Sequence, residues 1–209
     1  MKNNFAVISL ILSSLFLSSC IETIAIATIS GGVVAARKKS LIDTKDDLLI
    51  STYLIKEFTI NNLKTMNNSV DVMVNEQRVL LTGIVKTAEN EEKANKIAWG
   101  AKGVKEVIDE IEVDSDYSKI KLFGNYFIDS TITGEINIRA FFKKNLSSLN
   151  YKITTINGAV YLLGVAENRV EMEKMAALVA KTKGVKKVVN HIILASDKRR
   201  GAEMDDLDE

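Results

Sequence analysis

The sequence predicts an α+β protein: two tandem αββαβ domains, each with two helices on a three-stranded mixed sheet, behind an N-terminal targeting segment. Three observations carry that prediction. The stretch Val79–Val113 recurs as Val160–Leu194, with Gly83 answered by Gly164 and Gly103 by Gly184, both 81 residues on. Within each copy, residues alternate with period two and then recur with helical spacing. The chain also opens on a short apolar run ending in its single cysteine. A repeat this long exceeds a solenoid unit, so each copy is expected to be a small domain. At about 70 residues such a domain folds alone, with marginal stability.

The targeting segment comes first. Lys2 supplies a minimal positive region, and Phe5–Leu17 is apolar but too short to span a bilayer comfortably. Leu17-Ser18-Ser19-Cys20 then resembles the lipobox of bacterial lipoproteins. That resemblance implies a lipoprotein signal peptide over 1–19, with Cys20 as the first mature residue and the site of acyl attachment. A lone cysteine excludes an intrachain disulfide. Ile21 follows where inner-membrane lipoproteins typically carry Asp, so the resemblance favours the outer membrane, facing the periplasm. Residues 20–42 form a tether whose apolar part, Ile21–Ala36, ends in Arg37-Lys38-Lys39. Two readings stay open: a segment lying on the bilayer with its basic triplet at the headgroups, or a plain small-residue linker. Gly31-Gly32 argues against a continuous helix there.

The first domain is expected over 43–115. Ile50, Leu54 and Phe58 mark one helix face. Val70, Val72 and Val74, then Val79 and Leu81, alternate as two strands with one buried face. Ala94, Ile97, Ala98 and Ala101 form the core stripe of a second helix, Gly103 its left-handed C-terminal residue, and Val104–Val113 a third strand. After a linker at 116–124, the second domain repeats this over 125–196. Its stripe Ile132, Ile136, Ala140 is offset by 82 rather than 81, which requires a one-residue slip before the first strand. Tyr151 and Ile153, then Val160 and Leu162, flank Asn157-Gly158, a strong hairpin-turn pair. Asn168 with Glu171 resembles a capping box, and Met175, Leu178, Val179 and Thr182 form the second helix's stripe. Residues 197–209, basic and then acidic, are expected to be a disordered charged tail.

The net charge of +1 conceals an asymmetry. Residues 45–115 carry nine Lys/Arg against thirteen Asp/Glu, a balance of −4; residues 125–196 carry ten against five, a balance of +5. A basic domain on a membrane-tethered chain points to anionic lipid. The alternative is an ordinary solvated surface on which the two domains attract each other.

The repeated pattern G-x-V/A … A/M-x-x-x-A/V … G-V-x-x-V-x-N/D-x-I resembles the BON domain of bacterial envelope proteins. It reads as Gly83, Val85, Ala94, Ala98, Gly103, Val104, Val107, Asp109, Ile111, and again as Gly164, Met175, Val179, Gly184, Val185, Val188, Asn190, Ile192. Lipobox, tether and two such domains together resemble the dual-BON outer-membrane lipoproteins of the DolP/YraP type. Lys96-Ile97-Ala98-Trp99-Gly100 and the Asp129-x-x-Ile132-Thr133 opening fit that type. The resemblance implies a non-enzymatic protein of envelope integrity that binds anionic phospholipid through its second BON domain and gathers with division or other envelope proteins. It places lipid contact on the first helix of that domain, here Ser130–Leu146, and on nearby loops. The residues concerned are Thr131, Gly134, Ile138, Phe141, Phe142, Lys143, Lys144 and Val165, with Lys186 and Lys187 adding charge. Apolar wedges beside ammonium groups suit an interface of acyl chains and phosphates. The type carries Trp where this chain has Thr131, and Phe141 and Phe142 read equally well as core.

Other candidates carry less. Trp99, one residue off its helix's core face, reads as an interdomain or partner contact or as a cover for the core edge. His191 lies in the last strand without a second metal ligand and reads as a residue with no special role. No histidine pair, second cysteine, nucleophile motif or phosphate-cradling loop is present, so neither catalysis, metal nor cofactor is expected. The export signal disfavours nucleic acid. A monomer is expected, and an adaptor that grips envelope proteins and uses lipid only as an anchor stands beside the lipid-binding reading.

Overall fold

The computed structural model describes residues 33–116 and 119–200, with side chains at 45–116 and 125–200. Cys20, the expected signal peptide, most of the expected tether and residues 201–209 lie outside the described residues. Both domains fall within one unit that begins at Lys38.

Helix α1 (Val33–Ile60) starts directly after Gly31-Gly32, ten residues before the expected domain boundary. Nothing in its Ala-, Lys- and Leu-rich opening breaks a helix. Strands β1 (Ser69–Asn75) and β2 (Arg78–Val85) pair antiparallel, helix α2 (Ala88–Trp99) crosses over, and β3 (Glu106–Val113) returns parallel to β2, leaving β2 central. The second copy repeats this with α3 (Lys119–Phe141), β4 (Tyr151–Ile156), β5 (Ala159–Ala166), α4 (Arg169–Ala180) and β6 (Lys187–Leu194). Each sheet packs one face on its own helices. The first core is built on Ile50, Leu54 and Phe58 with Ala94 and Ala98; the second on Ile132, Ile136 and Ala140 with Met175 and Val179. The stripes read from helical spacing are thus the buried ones.

Helix α3 departs from expectation at both ends. It begins eleven residues before Ser130, taking in most of the expected 116–124 linker, and stops five residues short of Leu146. Lys119-Ile120-Lys121-Leu122-Phe123 are able helix formers, and a lone Gly124 is tolerated. The helix is over before Asn145, whose φ of 60° has left helical space.

The hairpins explain the 82-residue slip. Glu76-Gln77 and Asn157-Gly158 both have two consecutive positive φ values, as a type I′ turn requires. A carboxylate on each first helix clamps the turn. Asp47 accepts from the N–H groups of Glu76 (2.9 Å) and Gln77 (2.7 Å), and Asp129 from those of Asn157 (2.7 Å) and Gly158 (2.9 Å). Asp47 and Asp129 are 82 apart while the turns are 81 apart, so the extra residue lies between helix and hairpin. Gly83 and Gly164 make room for the neighbouring edge of the sheet: a Cβ at either would meet the carbonyl oxygen of Ser69 or Asn150, at 1.8 and 2.3 Å. Gly103 and Gly184 do have positive φ, but one short turn beyond the helix ends.

Three further expectations are corrected by the packing of one domain on the other. The alternating strands were expected to bury one face, yet every residue of β2 is buried, and so are Leu163, Val165 and Ile193 in the second sheet. These residues, with Leu80, Thr82 and Ile84, point away from their own helices. The outer faces of the two sheets meet each other, giving the layer order helix, sheet, sheet, helix. Polar contacts frame this second core. Arg78, 2% exposed, donates from Nε to Glu106 Oε2 (2.5 Å) and from Nη1 to the His191 carbonyl (3.1 Å). His191 Nε2 lies 2.9 Å from Glu110 Oε1, so the histidine expected to have no role is an interdomain contact. The expected disordered tail is also ordered at its start. A 3-10 turn at Lys198–Arg200 places Arg199 on Glu106 (3.3 Å) and Arg200 on Glu76 (2.6 and 2.7 Å), fastening the end of the second domain to the first.

Candidate functional site

Helix α3 carries two apolar stripes on opposite faces. Asp129, Ile132, Ile136 and Ala140 face the sheet and are buried. Phe127, Thr131, Gly134, Ile138 and Phe141 recur at steps of four, three, four and three, which places them about half a turn away from the core stripe. Phe127, Ile138 and Phe141 are exposed, and Phe142, just past the helix end, is the most exposed of the group at 79%. Phe141 and Phe142 meet edge to face with ring centres 5.2 Å apart, as do Tyr126 and Phe127 at 6.1 Å. Neither Phe141 nor Phe142 belongs to the core. Exposed aromatic surface of this kind, set opposite a complete core, marks a surface that other matter covers.

Cations gather at one end of the stripe. Lys143 and Lys144 are exposed next to Phe142. Beside them a groove of about 460 Å³ runs between α3 and α4, lined by Ile138, Phe142, Ala177 and Leu178 and by Arg139, Lys143, Lys174 and Lys181. Arg139 is held by the Thr182 hydroxyl (2.9 Å) and Glu135 (3.3 Å). Spacing on α3 alone could not reveal Lys174 and Lys181, because they reach this groove from the other helix. A visible signal was their separation of seven residues, which puts both on one side of α4. Lys186 and Lys187 do not join the cluster. Lys186 packs over Gly158 at the turn clamped by Asp129, twelve residues or about 18 Å back along α3.

The remaining candidates are scattered. Thr131 sits on the exposed stripe with its hydroxyl donating to the Phe127 carbonyl (2.8 Å). Gly134 opens onto a polar cleft of about 530 Å³ bounded by Ser130, Thr133 and Asn137 and by Asp71 and Ile84 of the first domain. Val165 is 8% exposed and belongs to the layer between the sheets; the first domain covers it, so it cannot touch lipid. Trp99 is exposed at the end of α2, in the outer helical layer and away from the sheet faces through which the domains meet. Among the described residues no group of three potential ligands could hold a metal, and no helix is long and apolar enough to cross a membrane.

The BON domain family matches this chain twice, over 52–115 and 129–196, together more than half of its length. The chain belongs to the BON-domain family. The domain formed by α1, β1, β2, α2 and β3 is BON1, and the one formed by α3, β4, β5, α4 and β6 is BON2. Three relatives extend the likeness. An uncharacterized protein of the gshII 5′ region in Anaplasma centrale is 38% identical over 64% of this chain and 86% of its own. The outer membrane lipoprotein DolP of Haemophilus influenzae is 28% identical over 85% and 89%. The osmotically-inducible protein Y of Escherichia coli is 26% identical over 70% and 72%. With two BON domains and a DolP-like span, this is a dual-BON protein of the DolP type.

Proposed function

We propose that this chain is a non-enzymatic outer-membrane lipoprotein, anchored through Cys20 and facing the periplasm, which supports envelope integrity by docking BON2 onto anionic phospholipid. The observation that carries the reading is the α3 face itself. Ile138, Phe141 and Phe142 stand exposed opposite a filled core, with Lys143 and Lys144 beside them. Apolar side chains at that position enter the acyl boundary while the ammonium groups stay at phosphate level. The +5 balance of BON2 acts in the same direction. The likeness to a protein named as an outer membrane lipoprotein supports the location.

The test is an amide NMR titration of the unit from Lys38 to Glu209 with vesicles of phosphatidylglycerol and, separately, phosphatidylcholine. Shifts along Thr131–Lys144 with the anionic vesicles alone are expected. Silence with both refutes the reading.

A second reading has its own observation. Leu48, Leu49, Ile55 and Trp99 are exposed on the helical layer of BON1. They favour an adaptor that grips envelope or division proteins, with lipid serving as anchor only. That reading predicts vesicle binding no stronger than that of BON1 alone.

A further inference from the structure

Resting on the lipid-docking reading, we infer that BON2 binds the phosphate of one phospholipid headgroup in the groove between α3 and α4, held by Lys143, Lys174 and Lys181 with Arg139. Three observations build the site. The groove is lined by four cations and no carboxylate. Lys143, Lys174 and Lys181 form no ion pair among the described residues, so their charge is uncommitted. Arg139 is fixed through Nη1 by Thr182, whose own hydroxyl donates to the Leu178 carbonyl (3.0 Å), and by Glu135 (3.3 Å), and its Nε and Nη2 have no acceptor among the described residues. A guanidinium held on one side and open on the other is pre-organised for a phosphodiester.

The apolar half of the lining says which phosphate belongs there. Ile138 and Phe142 wall the groove and continue into the exposed stripe of α3, so an acyl chain leaving a bound headgroup finds apolar surface along Phe141 and Phe142. A free phosphate would gain nothing from those walls. Ala177 sets the width: it lies midway between Lys174 and Lys181 on α4, and its single methyl keeps the groove open. The volume falls within the range of small-molecule sites. Glu135, Glu171 and Glu173 are the carboxylates nearest in sequence; Glu135 is engaged by Arg139, Glu171 accepts from the Ser147 and Glu167 N–H groups, and none of the three lines the groove. This site differs from a diffuse basic surface because it requires two helices, and α4 contributes half the charge.

The test uses the unit from Lys38 to Glu209 with two probes: vesicles of phosphatidylglycerol in phosphatidylcholine, and dihexanoyl phosphatidylglycerol below its micellar concentration. K174Q/K181Q is expected to weaken vesicle binding more than tenfold. A177F, which fills the groove without altering charge, is expected to weaken it similarly, with thermal unfolding of both variants confirming the fold. The monomeric lipid is expected to shift amides of Ile138–Lys143 and Lys174–Lys181 together in the unsubstituted protein. If both variants bind vesicles like the unsubstituted protein while I138S/F142S does not bind, the groove is refuted and membrane docking stands. If inorganic phosphate shifts the same amides and the monomeric lipid does not, the lipid assignment is overturned. If the unsubstituted protein binds no vesicle at all, both readings fall.

Discussion

Replacing Arg78 by Met tests whether the two BON domains fold as one body. The guanidinium is 2% exposed and makes two bonds, one within its own sheet to Glu106 and one across the sheet layers to the His191 carbonyl. Methionine keeps the aliphatic stem and removes both. Hydrogen bonds to a charged group are worth about 1.5–3 kcal/mol each, which sets the gross loss near 4 kcal/mol. Two effects reduce it. Glu106 is 29% exposed and keeps Arg199, and the methionine buries apolar surface in place of a charge. A net loss of about 2–3 kcal/mol follows, or about 1 M in urea midpoint at an m-value of roughly 2 kcal/mol/M. The chain carries its own reporter, since its single tryptophan, Trp99, belongs to BON1. In the unsubstituted protein, Trp99 fluorescence and far-ultraviolet circular dichroism should give coincident transitions, because burial of Leu80, Ile84, Leu163, Val165 and Ile193 couples the domains. In Arg78→Met both midpoints should fall, and the two probes should begin to separate. A midpoint within 0.3 M of the original, roughly 0.6 kcal/mol by the same m-value, with the probes still coincident, refutes the role assigned to Arg78.

Three further outcomes are expected. Asp129→Ala removes both acceptors of the Asn157-Gly158 turn and should lower stability by about 2–4 kcal/mol, read as a fall in melting temperature by calorimetry; a change below about 1 kcal/mol contradicts the clamp. Burial and then the Glu171 charge raise the Tyr151 phenol above its ordinary 10.0, and burial with Glu110 and Glu112 raises Tyr161. The unfolded phenols ionise first, so this stability is whole below about pH 10 and is lost as pH rises further. The Tyr151 hydroxyl is near Glu171 but outside hydrogen-bonding geometry, so Tyr151→Phe should leave neutral-pH stability intact and flatten the alkaline decline in a denaturation series. Thr131→Trp places an interfacial aromatic on the exposed stripe in line with Ile138 and should tighten phosphatidylglycerol vesicle binding severalfold in a flotation assay; unchanged binding would place the stripe outside the lipid contact.

Periodicity made the elements and both cores legible, because each helix and strand must bury one face whatever lies around it. Ile50, Leu54, Phe58 and Ile132, Ile136, Ala140 could be read from spacing alone. What surrounds a domain leaves a fainter trace. The runs Val79-Leu80-Leu81 and Leu162-Leu163 do break alternation, which signals strands covered on both sides. Nothing in either run says that the cover is the other sheet, so Val165 was open to being read as surface and His191 as idle. The same holds for Arg199 and Arg200. Their charge suggests solvent until Glu76 and Glu106, more than ninety residues away, are brought beside them. The groove was hidden for a related reason. Lys174 and Lys181 are ordinary helix-surface lysines until α3 sets Ile138 and Arg139 opposite them.

His191 and Glu110 are 81 residues apart, the period of the repeat itself. Each therefore meets its own counterpart, as happens only near a two-fold axis, here an approximate one relating the domains. Identical copies would have to place like groups against each other there. Two divergent copies escape that condition, and a carboxylate now faces an imidazole. The same approximate axis has a consequence for function. Sheets that meet face to face send their helical layers outward in opposite directions, so a flat membrane can touch the helices of only one domain at a time. Lysines placed on both layers would be wasted on the side turned away. The balances of −4 in BON1 and +5 in BON2 fit that division: under the proposed function BON2 lies on the phospholipid, and the acidic BON1 presents Leu48, Leu49, Ile55 and Trp99 away from it. Lipid docking and partner recognition are then compatible, because the two proposed surfaces lie on opposite sides of the protein.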